Sequence, residues 1–155
     1  MAYETFEKIE GVIQSVNRGD SCCSMMLSVI SNSNIVNVIV SGDTTVIDNV
    51  RLRAGLRVAV FYDANLPVPA VYLPQYRAEI ITSLRRGQQV VLGYFDENLT
   101  SEDNSLQLNV GPMTNVVTLN GQPYTCSPEG TELLVYYTNT TFSIPAMTTP
   151  QKINH

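Results

Sequence analysis

The chain has 155 residues, of which 44% are apolar and 15% are charged, and its formal net charge is −5. These values are typical of one ordinary globular domain or two small ones, and no run approaches the roughly 18 apolar residues that a membrane-spanning helix needs. The N-terminal residues lack the basic start and the apolar core of a secretory signal. The sequence therefore predicts a protein without a membrane partner, either cytoplasmic or surface- or spore-associated by a route that needs no signal.

Short runs rich in β-branched residues and bounded by turn residues recur along the chain, and they predict strands. In the first half these runs are residues 12–16, 25–30, 35–40, 45–47, 56–62 and 78–84. In the second half they are residues 89–95, 105–110, 115–119 and 132–137. No window of helical length keeps a 3.6-residue period. The predicted fold class is all-β.

Two stretches of the chain share a pattern that indicates an internal duplication. Residues 61–75 and 136–151 both begin with an aromatic pair and then contain Pro-Ala-x-x-x-Pro-Gln at the same spacing. Gly55 and Gly130 lie in register before the two aromatic pairs. Further back, residues 26–29 and 35–38 align with residues 107–110 and 116–119 at one constant offset.

The duplication predicts an extended N-terminal segment (residues 1–8), module 1 (residues 9–86) and module 2 (residues 87–155), which ends in a short tail. Module 2 has no convincing closing strand, because its candidate, residues 151–154, is short and polar. We expect the N-terminal residues 2–9 to be able to supply this strand, within the chain or from a neighbouring copy.

The order of these patterns resembles small OB-fold-like barrels of bacterial proteins. The resemblance rests on three meandering strands, the threonine-bearing segment 41–47, the glycine-led strand 55–60 and the last strand 78–81. It implies two tandem OB-like modules. It implies no particular activity, because this fold hosts binders of oligonucleotides, oligosaccharides and proteins alike. The proline-rich segment 67–75 departs from the usual pattern.

Charge is divided unevenly along the chain. Residues 1–86 have eight basic and eight acidic side chains, whereas residues 87–155 have Lys152 against six acidic side chains, which gives a net charge of −5. An acidic half and a half that contains most of the arginines favour head-to-tail contact between copies. The alternative is a solvated acidic surface that keeps the protein soluble.

The cysteines form no CxxC pair, and the one histidine in the chain is His155. They therefore favour no metal site, and we expect no cofactor. On an extended segment the adjacent Cys22 and Cys23 would point to opposite faces, so that one of them faces outward. Two interpretations stay open: free thiols, and disulfides between subunits made by Cys22, Cys23 or Cys126.

Module 1 contains two candidate interaction surfaces. A stiff, apolar loop is typical of protein-docking surfaces because it is ordered before binding, although the same prolines and tyrosines equally suit a purely structural loop. A group of arginines forms a candidate basic contact patch, whose alternative role is to keep an edge strand from aggregating. The loop residues are Tyr62, Pro67, Pro69, Tyr72, Pro74 and Tyr76, and the patch residues are Arg51, Arg53 and Arg57.

The residues favour a protein without catalytic activity, because the body of the chain has no histidine, no nucleophile motif and no phosphate-binding loop. Nucleic acid is a disfavoured partner, since the chain is acidic and has no tryptophan. The leading hypothesis is a structural protein that assembles with itself through its β-modules and extended termini into a fibre or a surface or spore-associated layer. The alternative is a binding module for a protein, a carbohydrate or a single-stranded nucleic acid on the Tyr, Pro and Arg surface of module 1.

Overall fold

The structure, a computed structural model, describes residues 3–19, 21–67 and 73–155. These residues form strands and one 3₁₀ turn at Ile47–Asn49, so the predicted all-β fold class is confirmed. Across these ranges, no helix has the length and apolar character needed to cross a membrane. The chain divides into two compact units, a first unit of Thr5–Leu84 and a second unit of Arg85–His155 with residues 3–4.

The strands of the first unit are hydrogen-bonded in a ring. They are β1 (Phe6–Arg18), β2 (Met25–Ser31), β3 (Asn34–Val40), β4 (Thr45–Val46), β5 (Arg57–Asp63), β6 (Gln75–Arg77) and β7 (Ile80–Ser83). β1 lies between β2 and β5, β2 pairs with β3, β3 runs parallel to β6, and β7 pairs with β5. The short connection from β6 to β7 closes the ring, because the Ala78 amide donates to Ile39 O of β3 at 3.0 Å and the Glu79 amide donates to Phe61 O of β5 at 2.9 Å.

The long strand β1 pairs with two neighbouring strands, β5 and β2. Residues 6–12 pair with β5, and residues 12–18 pair with β2 in a ladder that has a register shift between Ile13 and Ser15. Gly11 lies at the crossover, where an added Cβ atom would stand 2.3 Å from the carbonyl oxygen of Ile30. A glycine within a strand commonly marks such a close backbone approach. Gly11 therefore allows β1 to pass from one neighbour to the other.

Buried and more exposed residues alternate along β2, and the buried residues form part of the core of the first unit. In β2, Leu27 and Val29 are fully buried and the residues on either side of each are more exposed, as the two-residue period of a strand requires. Burial of each such side chain contributes about 1.5–3 kcal/mol. The buried cluster consists of Ile13, Leu27, Val29, Val38, Val40, Val58, Val60, Ala78 and Ile81.

The second unit is built around a four-stranded sheet. Its strands are β8 (Gln89–Phe95), β9 (Leu106–Leu108), β10 (Asn115–Val117), β11 (Thr131–Tyr137), β12 (Ala146–Thr148) and β13 (Lys152–Asn154). β11 pairs with β8 and β13, β10 runs parallel to β13, and β9 runs parallel to β12. Isolated bridges at Thr100 and Ser101 link β9 to β8. The core consists of Phe95, Leu106, Leu108, Leu133, Val135 and Ile153.

The second unit has its own closing strand. Lys152–Asn154 pairs with both β10 and β11, and Ile153 is completely buried. The expectation that residues 151–154 are too short and polar for this role is therefore wrong, because one apolar residue anchors the strand in the core. The N-terminal residues from Phe6 onward are also occupied, since they pair with β5 in the first unit.

A threonine fastens the segment after β3 in the first unit. Thr44 Oγ1 accepts a hydrogen bond from the amide of Ser41 at 3.1 Å and donates one to Ala78 O at 2.8 Å. The amide of the next residue, Thr45, donates to Glu79 O at 2.9 Å. We call this arrangement the threonine latch. It joins the turn that leads into β4 to the connection that closes the ring.

The second unit contains the same latch. Thr114 Oγ1 accepts from the amide of Gly111 at 3.1 Å and donates to Pro150 O at 2.8 Å. The amide of Asn115 donates to Gln151 O at 3.0 Å. Thr114 thus stands where Thr44 stands in the first unit. By the same contacts, β9 and β10 correspond to β3 and β4.

This correspondence differs from the alignment of the two halves that the sequence predicts. Pro150 occupies the latch position of Ala78 and not that of Pro74, which the shared Pro-Ala-x-x-x-Pro-Gln pattern predicts. The alignment of residues 26–29 and 35–38 with residues 107–110 and 116–119 is wrong for the same reason, because β9 corresponds to β3 and β10 to β4. The glycine pair does correspond, because Gly55 N donates to Ile13 O at 2.8 Å and Gly130 N donates to Phe95 O at 3.0 Å. Duplication itself stays a prediction.

Candidate binding site

A cleft of about 270 Å³ lies in the first unit beside the loop that joins β5 to β6. It brings together three residues of the predicted interaction loop, Tyr62, Pro67 and Tyr76. Two others, Pro69 and Tyr72, lie outside the described residues. The lining consists of Ile39, Tyr62, Asp63, Leu66, Pro67, Gln75, Tyr76 and Arg77.

Two tyrosines form the aromatic part of this tyrosine cleft. The ring centroids of Tyr62 and Tyr76 are 4.6 Å apart and their planes meet at 47°, a tilted arrangement that aromatic pairs favour. The Tyr62 hydroxyl donates to Glu7 Oε2 at 2.9 Å. Burial and this hydrogen bond raise the pKa of Tyr62 to about 12. The hydroxyl therefore keeps its proton at neutral pH, and Glu7 holds the ring in place.

Asp63 holds the turn of residues 63–66, which follows β5 beside the cleft. Its Oδ1 accepts from Thr5 Oγ1 at 2.8 Å and from the Asn65 amide at 3.0 Å, and its backbone oxygen accepts from the Leu66 amide at 3.1 Å. An aspartate that bonds to the backbone two residues later is typical of tight turns. The turn places Leu66, which is 47% exposed, at the cleft. Asp63 thus acts on the site through the turn that it holds.

Pro74, the remaining residue of the predicted loop, has a structural role. It is exposed, and its carbonyl oxygen accepts from the amide of Asn37 at 2.8 Å. This bond fixes the start of β6 beside β3. The tyrosine and arginine of β6 are thereby held in position at the cleft.

The arginines of the predicted basic patch are all exposed, and none of them lines the cleft. Arg57 begins β5, and its guanidinium lies 3.9 Å from the carboxylate of Glu10. Arg51 and Arg53 lie in the irregular segment before β5 and not on the edge strand that their alternation suggested. An exposed ion pair contributes about 0–1 kcal/mol. The contact with Glu10 therefore partly offsets the charge of Arg57 but does not hold its side chain in one position.

All three cysteines are exposed. Cys22 and Cys23 lie in the turn before β2 with their sulfur atoms 3.7 Å apart. The expectation that they point to opposite faces is wrong, because a turn lacks the alternation of a strand. Within the described ranges, no group of three or more His, Cys, Asp or Glu could hold a metal ion. The exposed thiols, including Cys126, are accessible to bridging partners.

The corresponding place in the second unit carries different chemistry. Asn109 stands where Ile39 stands, and Thr148 stands where Tyr76 stands, as the pairing of β9 with β12 requires. The result is an open groove of about 510 Å³ that is lined mainly by threonine and asparagine residues. It is lined by Asn109, Thr138, Asn139, Thr140, Thr141, Met147, Thr148 and Thr149.

The loop beside this groove carries two extremely exposed apolar side chains. Phe142 is 105% exposed and Ile144 is 91% exposed. The base of the loop is closed by two hydrogen bonds, from the Thr141 amide to Met147 O at 2.9 Å and from the Met147 amide to Thr141 Oγ1 at 2.9 Å. In addition, the Ser143 hydroxyl donates a hydrogen bond to Pro145 O at 2.9 Å. We call Phe142 and Ile144 the apolar knob, because they project from a hydrogen-bonded backbone.

No protein-family model, curated protein or solved structure matches this chain. Its function is therefore inferred from the two units themselves.

Sequence reasoning did not select the apolar knob or the contribution of β3 to the cleft. One signal for the knob was present, because the stretch between Glu132 and Lys152 has no charged residue and yet contains Phe142 and Ile144 among turn-forming residues. Ile39 had no such signal, since it reaches the cleft only through the parallel pairing of β3 with β6.

Proposed function

We propose that this protein is a non-catalytic structural protein that assembles with copies of itself. The observation that carries the proposal is the apolar knob. Apolar side chains scattered singly over a surface are normal, but Phe142 and Ile144 lie two residues apart on an ordered loop and are almost fully in water. Contact with another molecule would remove this apolar area from water and supply the driving force for association.

The distribution of charge supports contact between unlike units. The second unit carries the acidic loop around Asp96 and Asp103, and hydrogen bonds from Ser105 and Ser101 lower the pKa of Asp103, so this carboxylate is ionised at neutral pH. Two second units facing each other would bring like charges together. Contact of a second unit with a first unit, which has six basic and seven acidic side chains, lowers this repulsion. Such head-to-tail contacts repeat from copy to copy and give rings or fibres.

The architecture of the units fits this role. We propose that both units are OB-like barrels related by duplication, a proposal supported by the ring of pairings in the first unit and by the threonine latch that the two units share. Exposed Cys22, Cys23 and Cys126 would be able to reinforce contacts between subunits once these contacts form. His155 stacks on Tyr124 with ring centroids 4.2 Å apart, which favours a packing role for the histidine over a catalytic one.

A second candidate function is binding of a different partner in the tyrosine cleft. The tilted pair of Tyr62 and Tyr76 with Arg77 beside it favours this candidate, because aromatic rings and a guanidinium suit flat or extended ligands. The partners to consider are an extended segment of another protein, a carbohydrate and a single-stranded nucleic acid. Binding of one of these to a protein that never self-associates would favour this candidate over assembly.

Sedimentation velocity with negative-stain imaging tests the proposal. The double variant Phe142→Ser with Ile144→Ser should sediment more slowly than the wild type and lose any fibres. The matched control is Met113→Ser, since Met113 is 89% exposed in the same unit but lies outside the knob loop. Equal loss of assembly in both variants would point to unspecific hydrophobic association and contradict the proposal.

A further inference from the structure

We infer that Cys22 and Cys23 form a dithiol site that reduces a small-molecule disulfide and is itself oxidised to a disulfide within one chain. The two sulfur atoms are 3.7 Å apart, and both side chains are exposed. The sequence leaves free thiols and bridges between subunits as the two interpretations of these cysteines. The contact between the sulfur atoms adds a third, a bond between neighbours. This inference holds whether or not copies of the protein assemble.

Hydrogen bonds hold the turn that carries the two cysteines. The Ser24 amide donates to Ser21 O at 3.3 Å, as in a four-residue turn. Cys22 and Cys23 are the two central residues of this turn. The Cys23 amide also donates to Ser21 Oγ at 3.3 Å, and the Gly19 amide donates to Ser24 O at 3.1 Å. The sulfur atoms therefore meet on an ordered backbone before any reagent binds.

Gly19 allows the two ends of the connection between β1 and β2 to approach each other. An added Cβ atom at Gly19 would stand 2.3 Å from Ser24 Oγ and 2.9 Å from the carbonyl carbon of Ser24. Such a close approach requires a residue without a side chain. Arg18 and Met25, the last residue of β1 and the first of β2, pair directly beyond it. The dithiol thus lies at the exposed tip of a β-hairpin.

Ring closure needs a small movement of the side chains. A disulfide joins its sulfur atoms at about 2.05 Å, so the sulfur atoms of Cys22 and Cys23 must approach by about 1.7 Å from their separation of 3.7 Å. Rotation of two exposed side chains supplies this movement, since exposed side chains change rotamer within nanoseconds. Oxidation is therefore a local event at the tip of the hairpin.

The oxidation proceeds by two exchange steps. One cysteine thiolate attacks a sulfur atom of the small disulfide, whose S–S bond breaks as a mixed disulfide forms and the first small thiolate leaves. The thiolate of the neighbouring cysteine then attacks the cysteine sulfur of the mixed disulfide and expels the second small thiolate. The protein gives up two electrons and the protons of two thiols, and the small disulfide is reduced to two thiols.

Proximity favours ring closure over a bond to another copy. A group tethered by a short flexible linker has an effective concentration on the order of millimolar. At about 1 μM protein, the neighbouring cysteine is thus favoured over a thiol of another copy by on the order of 1,000-fold. Cys126, which belongs to the second unit, is then the cysteine left for bonds between copies.

Strain makes this disulfide easy to reduce again. The Cα atoms of consecutive residues are about 3.8 Å apart across a trans peptide bond. Disulfides usually join residues whose Cα atoms are roughly 4.4–6.8 Å apart. Strained and exposed disulfides are the labile ones, in contrast to structural disulfides. The pair is therefore suited to reversible oxidation, and a small excess of dithiothreitol should restore both thiols.

Titration with dithiobis(nitrobenzoate), an aromatic disulfide that releases a coloured thiolate, tests the inference. The reagent is held at about 0.1 mM, below the effective concentration of the neighbouring thiol. The reduced wild type should release three thiolates and yet keep one adduct, because the sequence places no cysteine beside Cys126. Trypsin separates the pair, in the peptide of residues 19–51, from Cys126. Mass spectrometry should find the adduct on Cys126 and the other peptide lighter by two hydrogen atoms.

The single variants Cys22→Ser and Cys23→Ser are the controls. Each keeps one thiol of the pair, so each should release two thiolates and keep two adducts. Serine is close to cysteine in size and both positions are exposed, so these variants should keep the circular dichroism spectrum of the wild type. Three adducts on the wild type would overturn the inference, and so would a single variant that keeps one adduct.

Non-reducing gel electrophoresis gives a second test, on the bonds between copies. Limiting amounts of the same reagent should give covalent dimers of the wild type and nothing larger, and Cys126→Ser should give monomers. Covalent trimers of the wild type, or dimers of Cys126→Ser, would contradict ring closure within one chain. None of these outcomes requires association without covalent bonds, so the proposed self-assembly is tested separately.

Discussion

Replacing Thr44 by valine should lower the free energy of unfolding of the first unit by about 1–3 kcal/mol, because two hydrogen bonds of about 0.5–1.5 kcal/mol net each are lost. These are the bonds of Thr44 Oγ1 with the Ser41 amide at 3.1 Å and with Ala78 O at 2.8 Å. Valine has nearly the shape of threonine, so packing changes little. The threonine latch of the second unit predicts a loss of the same size for Thr114→Val.

Urea unfolding followed by far-ultraviolet circular dichroism measures this loss, and the slope of the transition should stay unchanged. The control is Thr44→Ser, which keeps the hydroxyl and removes one methyl group. It should lose less stability than Thr44→Val. Neutral surface substitutions change the free energy of unfolding by up to about 0.5 kcal/mol. If Thr44→Val loses less than this, or if Thr44→Val and Thr44→Ser lose the same free energy of unfolding, the latch does not hold the ring closed.

Three further predictions concern single groups. Gly130→Ala should cost about 1–2 kcal/mol of unfolding free energy, since Gly130 has φ 77°; Gly42→Ala, which also meets open space, should cost far less in the same urea titration, and equal costs would contradict the reasoning. Tyr62 should ionise near pH 12 in an ultraviolet titration, and Glu7→Gln should lower the pKa of Tyr62. The pKa of Tyr62 is raised from 10.0 to about 12 in the folded protein. The protonated tyrosine therefore makes its full contribution to the free energy of unfolding below pH 10, and this contribution is lost as the pH rises to 12. A Tyr62 that titrates at its ordinary pKa would refute the contact with Glu7. All three thiols should react with a thiol reagent in the folded protein, since Cys22, Cys23 and Cys126 are exposed, and fewer than three without added oxidant would contradict this exposure.

The strands that sequence alone predicts well are those with a local signal. Gln89–Phe95 matches its predicted bounds, and β2 and β5 each lie within one residue of theirs, because β-branched runs between turns define them. β6, β12 and β13 have three residues each and were not predicted as strands. Each is held by parallel pairing with a distant strand, a partner that no local pattern reveals.

The site residues also fall into those that a local sequence pattern predicts and those that depend on contacts between distant residues. Tyr62, Pro67 and Tyr76 were identified because a proline-rich loop with tyrosines is a local feature. The shared Pro-Ala-x-x-x-Pro-Gln stretch misled the alignment, since the correspondence of the units depends on hydrogen bonds between residues far apart, such as Thr114 and Pro150. The apolar knob could not be recognised as exposed before the loop was seen to project. Thr141 and Met147 set this projection, and they meet only in the folded loop.

Self-assembly is tested most directly by the molar mass of the wild-type protein, measured by light scattering across a wide range of concentrations, with and without reductant. An assembling protein should have a mass that exceeds 17.1 kDa and grows with concentration. Growth should persist in reductant, because the burial of Phe142 and Ile144 in a contact between copies would need no covalent bond. A constant mass of 17.1 kDa at every concentration would contradict self-assembly.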